Sequence, residues 1–141
     1  MNTLPYASHT FRFPQHLSSY SPEDLEKQLS DAFLQLLDLC ISTIRHDDTY
    51  PPGRPSYNVI LTLEHLHVIP RKSETHRLSK TGENLPVNSL GFAGMLLVKS
   101  ESELEAVKEE TIGRILRGVG LESVHEQQVE GTGRELAGVI E

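Results

Sequence analysis

An α+β fold is predicted for this chain of 141 residues, with a mostly antiparallel sheet packed by one long helix and two short helices near the end. Three observations predict it. Residues 3–14 alternate between apolar and polar side chains, which is typical of a half-buried strand. Residues 22–45 carry apolar side chains at helical spacing. Residues 57–63 and 65–69 are rich in β-branched and aromatic side chains, which favours strands.

The long helix has the clearest start and end. Ser21 and Pro22 provide an N-cap and a first helical residue, and Glu23 and Asp24 place negative charge in the first turn. Three prolines and a glycine between positions 50 and 56 end the helix. Its apolar stripe consists of Leu25, Leu29, Phe33, Leu36, Leu37, Cys40, Ile41 and Ile44.

The two central strands are joined by a tight turn near Glu64, and residues 71–86 after them predict a long polar loop. Residues 91–98 predict a buried strand entered through a glycine turn. Two short helices follow and complete the predicted fold.

The first of these short helices starts at a capping-box pattern formed by Ser100 and Glu103, with Leu104 and Val107 expected to face inward. The second is expected over residues 111–119 and is ended by glycines. Beyond residue 121 the composition turns polar and acidic. We therefore predict one domain over residues 1–121 and a flexible tail over residues 122–141, with a weak helix near residues 134–140.

Charge and hydropathy exclude several classes of protein. Lys and Arg number 13 against 20 Asp and Glu, a formal net charge of −7, so no nucleic-acid partner is expected. The basic cluster of Arg71, Lys72, Arg77 and Lys80 is better explained as a solvated loop. No apolar run approaches the roughly 20 residues that span a membrane, and the first residues do not resemble a secretory signal.

The single cysteine, Cys40, cannot form an internal disulfide and lies on the apolar stripe of the long helix, where core packing is expected. A reducing compartment is the simpler assumption. We expect a cytoplasmic protein, with the nucleus as the alternative.

Residues 87–99 carry the most informative chemical pattern of the chain. Asn88 and Ser89 can offer hydrogen bonds to phosphate or ribose oxygens, and Gly91 and Gly94 let the main chain pass close to a ligand. Lys99 follows the predicted strand, where a compact cation can neutralise phosphate charge. On spacing alone, a buried strand entered through a glycine turn and ended by a solvated lysine is the favoured explanation of the pattern.

Six segments of the chain stand in a consistent order: residues 4–6, the helix from Ser21 onward, and residues 55–62, 68–71, 87–99 and 115–121. They cover nearly all of residues 4–121. Together they resemble the C-terminal domain of the ATP adenylyltransferase family of fungal type, also called diadenosine tetraphosphate phosphorylases. The resemblance implies one half of a histidine-triad/GalT-like fold.

The resemblance also implies a binding site for adenine nucleotides (ATP, ADP and diadenosine tetraphosphate). We assign no cofactor and no metal ligand, and the sequence leaves open whether a metal ion assists. The nucleotide-contacting residues of the family correspond to Asn88, Ser89, Leu90, Met95 and Lys99. In the family a histidine of the N-terminal domain attacks the α-phosphorus, and phosphate then releases ADP. This chain has no such segment, so we assign no catalytic residue, expect the chain alone to be inactive, and infer a missing N-terminal half as partner.

His65 and His67 resemble part of the His-x-His-x-His strand of histidine-triad transferases, but Ile69 occupies the third position. A structural or surface role is favoured over a metal pair or a nucleophile. Three functions stay open at this point: one domain of a nucleotidyltransferase, a non-catalytic nucleotide-binding relic, and a protein-interaction scaffold.

Overall fold

The computed structural model describes Leu4, residues 6–121 and the backbone of residues 139 and 140. The chain begins with strand β1 (His9–Arg12), a 3-10 helix (Leu17–Ser19) and helix α1 (Pro22–Arg45). Strands β2 (Ser56–Leu61), β3 (His65–Arg71), β4 (Thr75–Arg77) and β5 (Asn84–Pro86) follow. The remaining elements are α2 (Ser89–Phe92), α3 (Glu101–Glu110), α4 (Ile112–Val119) and strand β6 (Val139–Ile140).

The described strands form two antiparallel sheets. The larger sheet has the order β2-β3-β1-β6, and the smaller one is the hairpin of β4 and β5. In the larger sheet, Val68 lies opposite both His9 of β1 and Val59 of β2. With the long helix and the two short helices near the end, this architecture confirms the predicted α+β fold.

Helix α1 has the predicted bounds and covers one face of the larger sheet. The Ser21 side chain accepts a hydrogen bond from the Asp24 backbone N–H at 3.2 Å. The buried part of its apolar stripe packs on side chains of β1 and β3, and Cys40 is fully buried there, which confirms its role in packing. Burial raises the pKa of the Cys40 thiol to about 12.

A second core fills the opposite face of the sheet. It is formed by side chains of β3, of the small hairpin and of α2, α3 and α4, with Tyr6 from the N-terminal segment. Ile60 of β2 packs against its edge together with Leu96 and Val98. The larger sheet therefore separates two layers, and the segment from residue 87 to residue 99 lies in the layer that α1 does not cover.

The prediction of a loop over residues 71–86 was wrong, because the segment folds back as the β4–β5 hairpin. Leu78 and Leu85 are fully buried and anchor it to the second core. Gly82 adopts φ +72° in the connection, where its N–H donates to the Leu78 carbonyl at 2.8 Å. Two isolated leucines give no strand-like alternation, so pattern alone did not reveal the hairpin.

Helices α3 and α4 confirm the predicted pair. The Ser100 hydroxyl accepts from the Glu103 backbone N–H at 3.2 Å, as a capping serine does. However, the expected inward position of Leu104 was wrong, because this side chain is 38% exposed. Val107, which was also expected inward, is buried, with Ala106 and Glu110 beside it on the inner face. The inner face of α3 therefore includes two glutamates, Glu103 and Glu110, instead of Leu104.

The last described residues return to the sheet. Val139 and Ile140 pair antiparallel with β1, opposite Arg12 and Phe11 respectively. The weak helix expected near residues 134–140 is therefore wrong at its last two positions. The rest of the predicted tail, residues 122–138 and 141, lies outside the described residues, and the boundary at residue 121 stays a prediction. Among the described residues, no helix is long and apolar enough to cross a membrane.

His9 is a titratable group in the core beneath α1. Its Nε2 lies 2.9 Å from Thr43 Oγ1, and the Thr43 hydroxyl donates its hydrogen to the Leu39 carbonyl at 2.9 Å. The imidazole must therefore donate from Nε2, which leaves Nδ1 as an acceptor without a partner among the described residues. Burial lowers the pKa of His9 to about 4.

We predict that the free energy of unfolding falls as the pH is lowered from about 6.5 towards 4, since unfolded His9 gains a proton that the buried imidazole does not. The loss reaches about 3 kcal/mol if the whole difference in pKa is expressed. Urea unfolding at a series of pH values measures it. His9→Gln should flatten this part of the profile and His16→Gln, an exposed control, should not; equal slopes in both variants would refute the assignment.

Candidate functional site

Asn88 determines the conformation of the candidate nucleotide segment. It is the N-cap of α2, and its Oδ1 accepts from the backbone N–H groups of Leu90 at 3.0 Å and Gly91 at 3.4 Å. The predicted strand over residues 91–98 was therefore wrong: a single helical turn runs through Phe92, and residues 95–99 have no regular secondary structure. The apolar composition suited a strand, but the capping amide starts a helical turn instead.

Gly91 is required by packing within the protein. A Cβ at this position would lie 2.8 Å from Val87 Cγ1 and 2.9 Å from Leu96 Cδ2, both closer than real contacts allow. Gly94 differs, because its φ of +105° follows the helical turn and a Cβ there would meet nothing within 4 Å. The proposed close approach of a ligand is therefore not needed to explain Gly91, whereas Gly94 allows the chain to reverse after α2.

The five predicted binding residues lie in two groups along this segment. Asn88, Ser89 and Leu90 are together at the start of α2, and Ser89 is half-buried while its two neighbours are exposed. Met95 is 62% exposed, and Lys99 is also exposed. The intervening side chains alternate, since Leu96 and Val98 pack on the second core. None of the five is sealed in the interior, and their contact with a nucleotide stays a prediction.

An open cavity of about 390 Å³ lies at the ends of β2 and β3. It adjoins the candidate segment, because the Val87 backbone N–H donates to the carbonyl of Glu74, a lining residue, at 3.0 Å. The remaining lining residues are Pro55, Ser56, Tyr57, Asn58, Arg71, Lys72 and Ser73.

Arg71 was wrongly expected in a solvated loop, for it is the last residue of β3 and is only 6% exposed. Its Nη1 donates to Asn58 Oδ1 at 2.7 Å, and its Nε and Nη2 donate to the Ser73 carbonyl at 2.9 and 2.6 Å. Burial lowers its pKa from the usual value. The sequence could not reveal this group, because the pairing of Asn58 with Arg71 depends on the register between β2 and β3.

A buried polar cluster joins the small hairpin to α3, and it was also missed. His76 of β4 hydrogen-bonds the carboxylate of Glu110, whose other oxygen accepts from the Ser79 backbone N–H at 2.8 Å. Against the opposing effect of burial, this backbone N–H, then the Ser79 side chain and His76, lower the pKa of Glu110 to about 2. The imidazole also packs on Gly118, where a Cβ would lie 2.4 Å from its Nδ1. The contacts of this cluster join three elements, the β4–β5 hairpin, α3 and α4.

The paired histidines of β3 have a local role in the sheet. Their rings are stacked with centroids 5.8 Å apart, and His67 Nδ1 lies 2.8 Å from Thr10 Oγ1 of the neighbouring strand. Both side chains are half-buried. Within the described part of the chain, no group of three His, Cys, Asp or Glu side chains could hold a metal ion.

Comparison with known proteins decides the family. A family model described as the ATP adenylyltransferase C-terminal domain matches residues 2–122. The chain belongs to the ATP adenylyltransferase family. This confirms the resemblance drawn from the residues, including the assignment to the C-terminal domain.

Two kinds of relative of this ATP adenylyltransferase domain agree with the match. The chain is 42% identical over 60 residues to diadenosine 5',5'''-P1,P4-tetraphosphate phosphorylase 2 of Saccharomyces cerevisiae, which is 43% of this chain and 18% of that protein. The crystal structure of yeast Ap4A phosphorylase Apa2 superposes with a TM-score of 0.62 at 27% identity, over 84% of this chain and 38% of that one. Apa2 in complex with Ap4A gives a TM-score of 0.60 at 26% identity, over 84% of this chain and 36% of that one.

The lengths of these ATP adenylyltransferase relatives exceed the matched region considerably. The chain spans 38% of Apa2 and less than a fifth of the curated yeast protein. The match therefore shows the fold of the C-terminal domain, and it does not extend to the remaining residues of these longer relatives.

We predict that Gly91→Ala lowers the free energy of unfolding by about 1–3 kcal/mol, since the new methyl group would overlap Val87 and Leu96. Gly113→Ala is the matched control, because this helical position has open space and ordinary backbone angles. It should leave stability unchanged or raise it by about 0.5–1 kcal/mol. Equal urea midpoints for the two variants would contradict the packing role of Gly91.

Proposed function

We propose that this chain is the C-terminal domain of a nucleotidyltransferase and that it binds adenosine polyphosphates along residues 88–99. The observation that carries the proposal is the family match over residues 2–122, which includes the whole segment. Apa2, which shares the fold, has been solved in complex with AMP and with Ap4A. The proposed ligands are accordingly ATP, ADP and diadenosine tetraphosphate.

The chemistry of the five side chains suits such a ligand. Because Asn88 Oδ1 is used in capping, its amide NH₂ group is the part left to donate to a phosphate or ribose oxygen. The Ser89 hydroxyl is partly accessible beside it. Met95 and Leu90 present exposed apolar surface to a base or sugar, and Lys99 presents a positive charge to the phosphates.

Catalysis requires a further component in this proposal. We assign no nucleophile among the described residues, and the solved relatives are longer than this chain by more than half of their own length. We propose that an N-terminal half of the same family supplies the catalytic histidine. The partner would cover apolar side chains beside α2 and at the edge strand β2, because Leu97 is 81% exposed and Leu61 and Leu63 are also exposed.

We predict that diadenosine tetraphosphate binds the wild-type chain and that Lys99→Ala weakens this binding about tenfold, because a charged contact to phosphate is lost. Isothermal titration calorimetry measures both affinities. Lys27→Ala is the control, since Lys27 is exposed on α1, on the far side of the sheet. Unchanged affinity in Lys99→Ala, or an equal loss in Lys27→Ala, would contradict the assignment.

We predict that the chain alone does not cleave diadenosine tetraphosphate and that co-expression with the N-terminal half of an Apa2-type enzyme restores phosphorolysis. Leu97→Asp should abolish this complementation while changing the free energy of unfolding by less than about 0.5 kcal/mol, since the side chain is exposed. Ile112→Asp, exposed at the start of α4, is the control.

Binding without any restored turnover would favour a nucleotide-binding relic. Association of Leu97→Asp with the N-terminal half as tight as that of the wild type would exclude the proposed interface.

A further inference from the structure

The cavity at the ends of β2 and β3 is lined by Arg71, a buried cation with more hydrogen-bond donors than the described residues use. The guanidinium group of Arg71 has five N–H donors. The structure gives three hydrogen bonds from it, one from Nη1 to Asn58 and one each from Nε and Nη2 to the Ser73 carbonyl. Two donors therefore remain without an acceptor among the described residues, in a side chain that is 6% exposed and lines the cavity.

No carboxylate of the described residues forms an ion pair with Arg71. Arginine keeps its charge in proteins, and the positive charge of Arg71 is balanced by dipoles of amide and carbonyl groups and, without a direct contact, by the exposed carboxylate of Glu74. Burying a charge without a directly bound partner is costly. An anion in the cavity would supply such a direct partner.

The guanidinium group is held in one orientation before any ligand arrives. Its three hydrogen bonds fix the plane of the group, and the Arg71 carbonyl accepts from the Tyr50 hydroxyl at 2.7 Å. The next residue is fixed as well, since the Lys72 backbone N–H donates to the Val119 carbonyl at 2.8 Å. The remaining N–H groups, one on Nη1 and one on Nη2, therefore have fixed directions, unlike the ammonium group of a mobile surface lysine.

The other residues of the cavity agree with a small, charged occupant. Lys72 adds a second positive charge at the wall, and Ser56 and Asn58 add polar groups. The volume of about 390 Å³ lies within the range of small-molecule sites, roughly 300–1,000 Å³, but such sites are usually apolar. One carboxylate opposes an anion, because Glu74 is exposed at the same cavity.

We propose that this cavity is a phosphate-binding site, with Arg71 as the principal donor and Lys72 as a second cation. The phosphate group comes either from free orthophosphate or from a phosphorylated small molecule such as a nucleotide. The site is separate from the residue 88–99 segment, although the hydrogen bond between Val87 and Glu74 makes the two neighbours. It does not depend on the proposed function, because orthophosphate binding requires neither a nucleotide nor an N-terminal half.

The experiment observes the Nε–H resonance of Arg71 by ¹H–¹⁵N NMR while orthophosphate, AMP or adenosine is added. The resonance is assigned by its disappearance in Arg71→Lys. We expect saturable shifts with orthophosphate or AMP and none with adenosine. Saturation by orthophosphate identifies the free anion as sufficient, whereas saturation by AMP alone identifies the phosphorylated molecule as the source.

Variants separate binding from a purely structural role of Arg71. Glu74→Gln should tighten phosphate binding about threefold by removing the opposing charge, a gain that loss of folding cannot imitate. Lys72→Ala should weaken it about threefold, and Arg71→Lys at least tenfold, because the guanidinium N–H donors are lost. Lys27→Ala is the control for net charge and should leave the affinity within a factor of two of the wild type.

Three results would overturn the proposal. The first is the absence of a saturable shift with both orthophosphate and AMP at concentrations of tens of millimolar. The second is an affinity for phosphate that neither Glu74→Gln nor Lys72→Ala changes, a result that does not require Arg71→Lys to fold. The third is an equal response to adenosine. Both sites are supported if Lys99→Ala loses nucleotide binding while the Arg71 resonance still shifts with phosphate. If the Arg71 resonance shifts and Lys99→Ala binds nucleotide as the wild type does, only the residue 88–99 assignment is refuted.

Discussion

Strand β3 lies between β1 and β2 and carries buried side chains on both of its faces. Leu66 and Val68 point towards α1, whereas Ile69 belongs to the core on the other side. Because side chains of a strand alternate, a slip of one residue would exchange the two sets and disrupt the packing of both cores. The register of β3 therefore fixes both layers, and with them the positions of His67 and Arg71 at the sheet.

The second layer contains a buried polar cluster that joins its elements. Glu110 ties α3 to the β4–β5 hairpin through His76 and the Ser79 backbone, and Gly118 of α4 packs on the same imidazole. Tyr6 connects this layer to α2, since its hydroxyl donates to the Phe92 carbonyl at 3.1 Å and the two rings meet edge to face at 4.9 Å. The residue 88–99 segment is thus held in place by long-range contacts and not by its own secondary structure.

The sequence correctly predicted the elements that depend on interactions between neighbouring residues. Helix α1 was predicted with its observed bounds, because Ser21, Pro22 and a regular apolar stripe act over neighbouring residues. The β2–β3 hairpin and α4 were located nearly as well.

The β4–β5 hairpin was missed because its stability comes from burying Leu78 and Leu85 against distant helices. The strand expected over residues 91–98 failed because the Asn88 cap outweighed an apolar composition that suits either a strand or a packed loop. The five residues of the proposed nucleotide site came from the family resemblance, whereas Arg71 and the Glu110 cluster depend on strand register and tertiary contacts that no local pattern contains.

Cys40 has a practical consequence for work on this molecule. Its side chain is fully buried beneath α1, and burial raises its pKa to about 12, so the thiol is protonated at pH 7. Since the thiolate is the species that reacts with maleimides, the native cysteine is inert in the folded protein. A single cysteine engineered on the surface can accordingly carry a fluorophore or spin label without a cysteine-free background, and slow labelling of Cys40 itself reports the transient opening of the helix from the sheet.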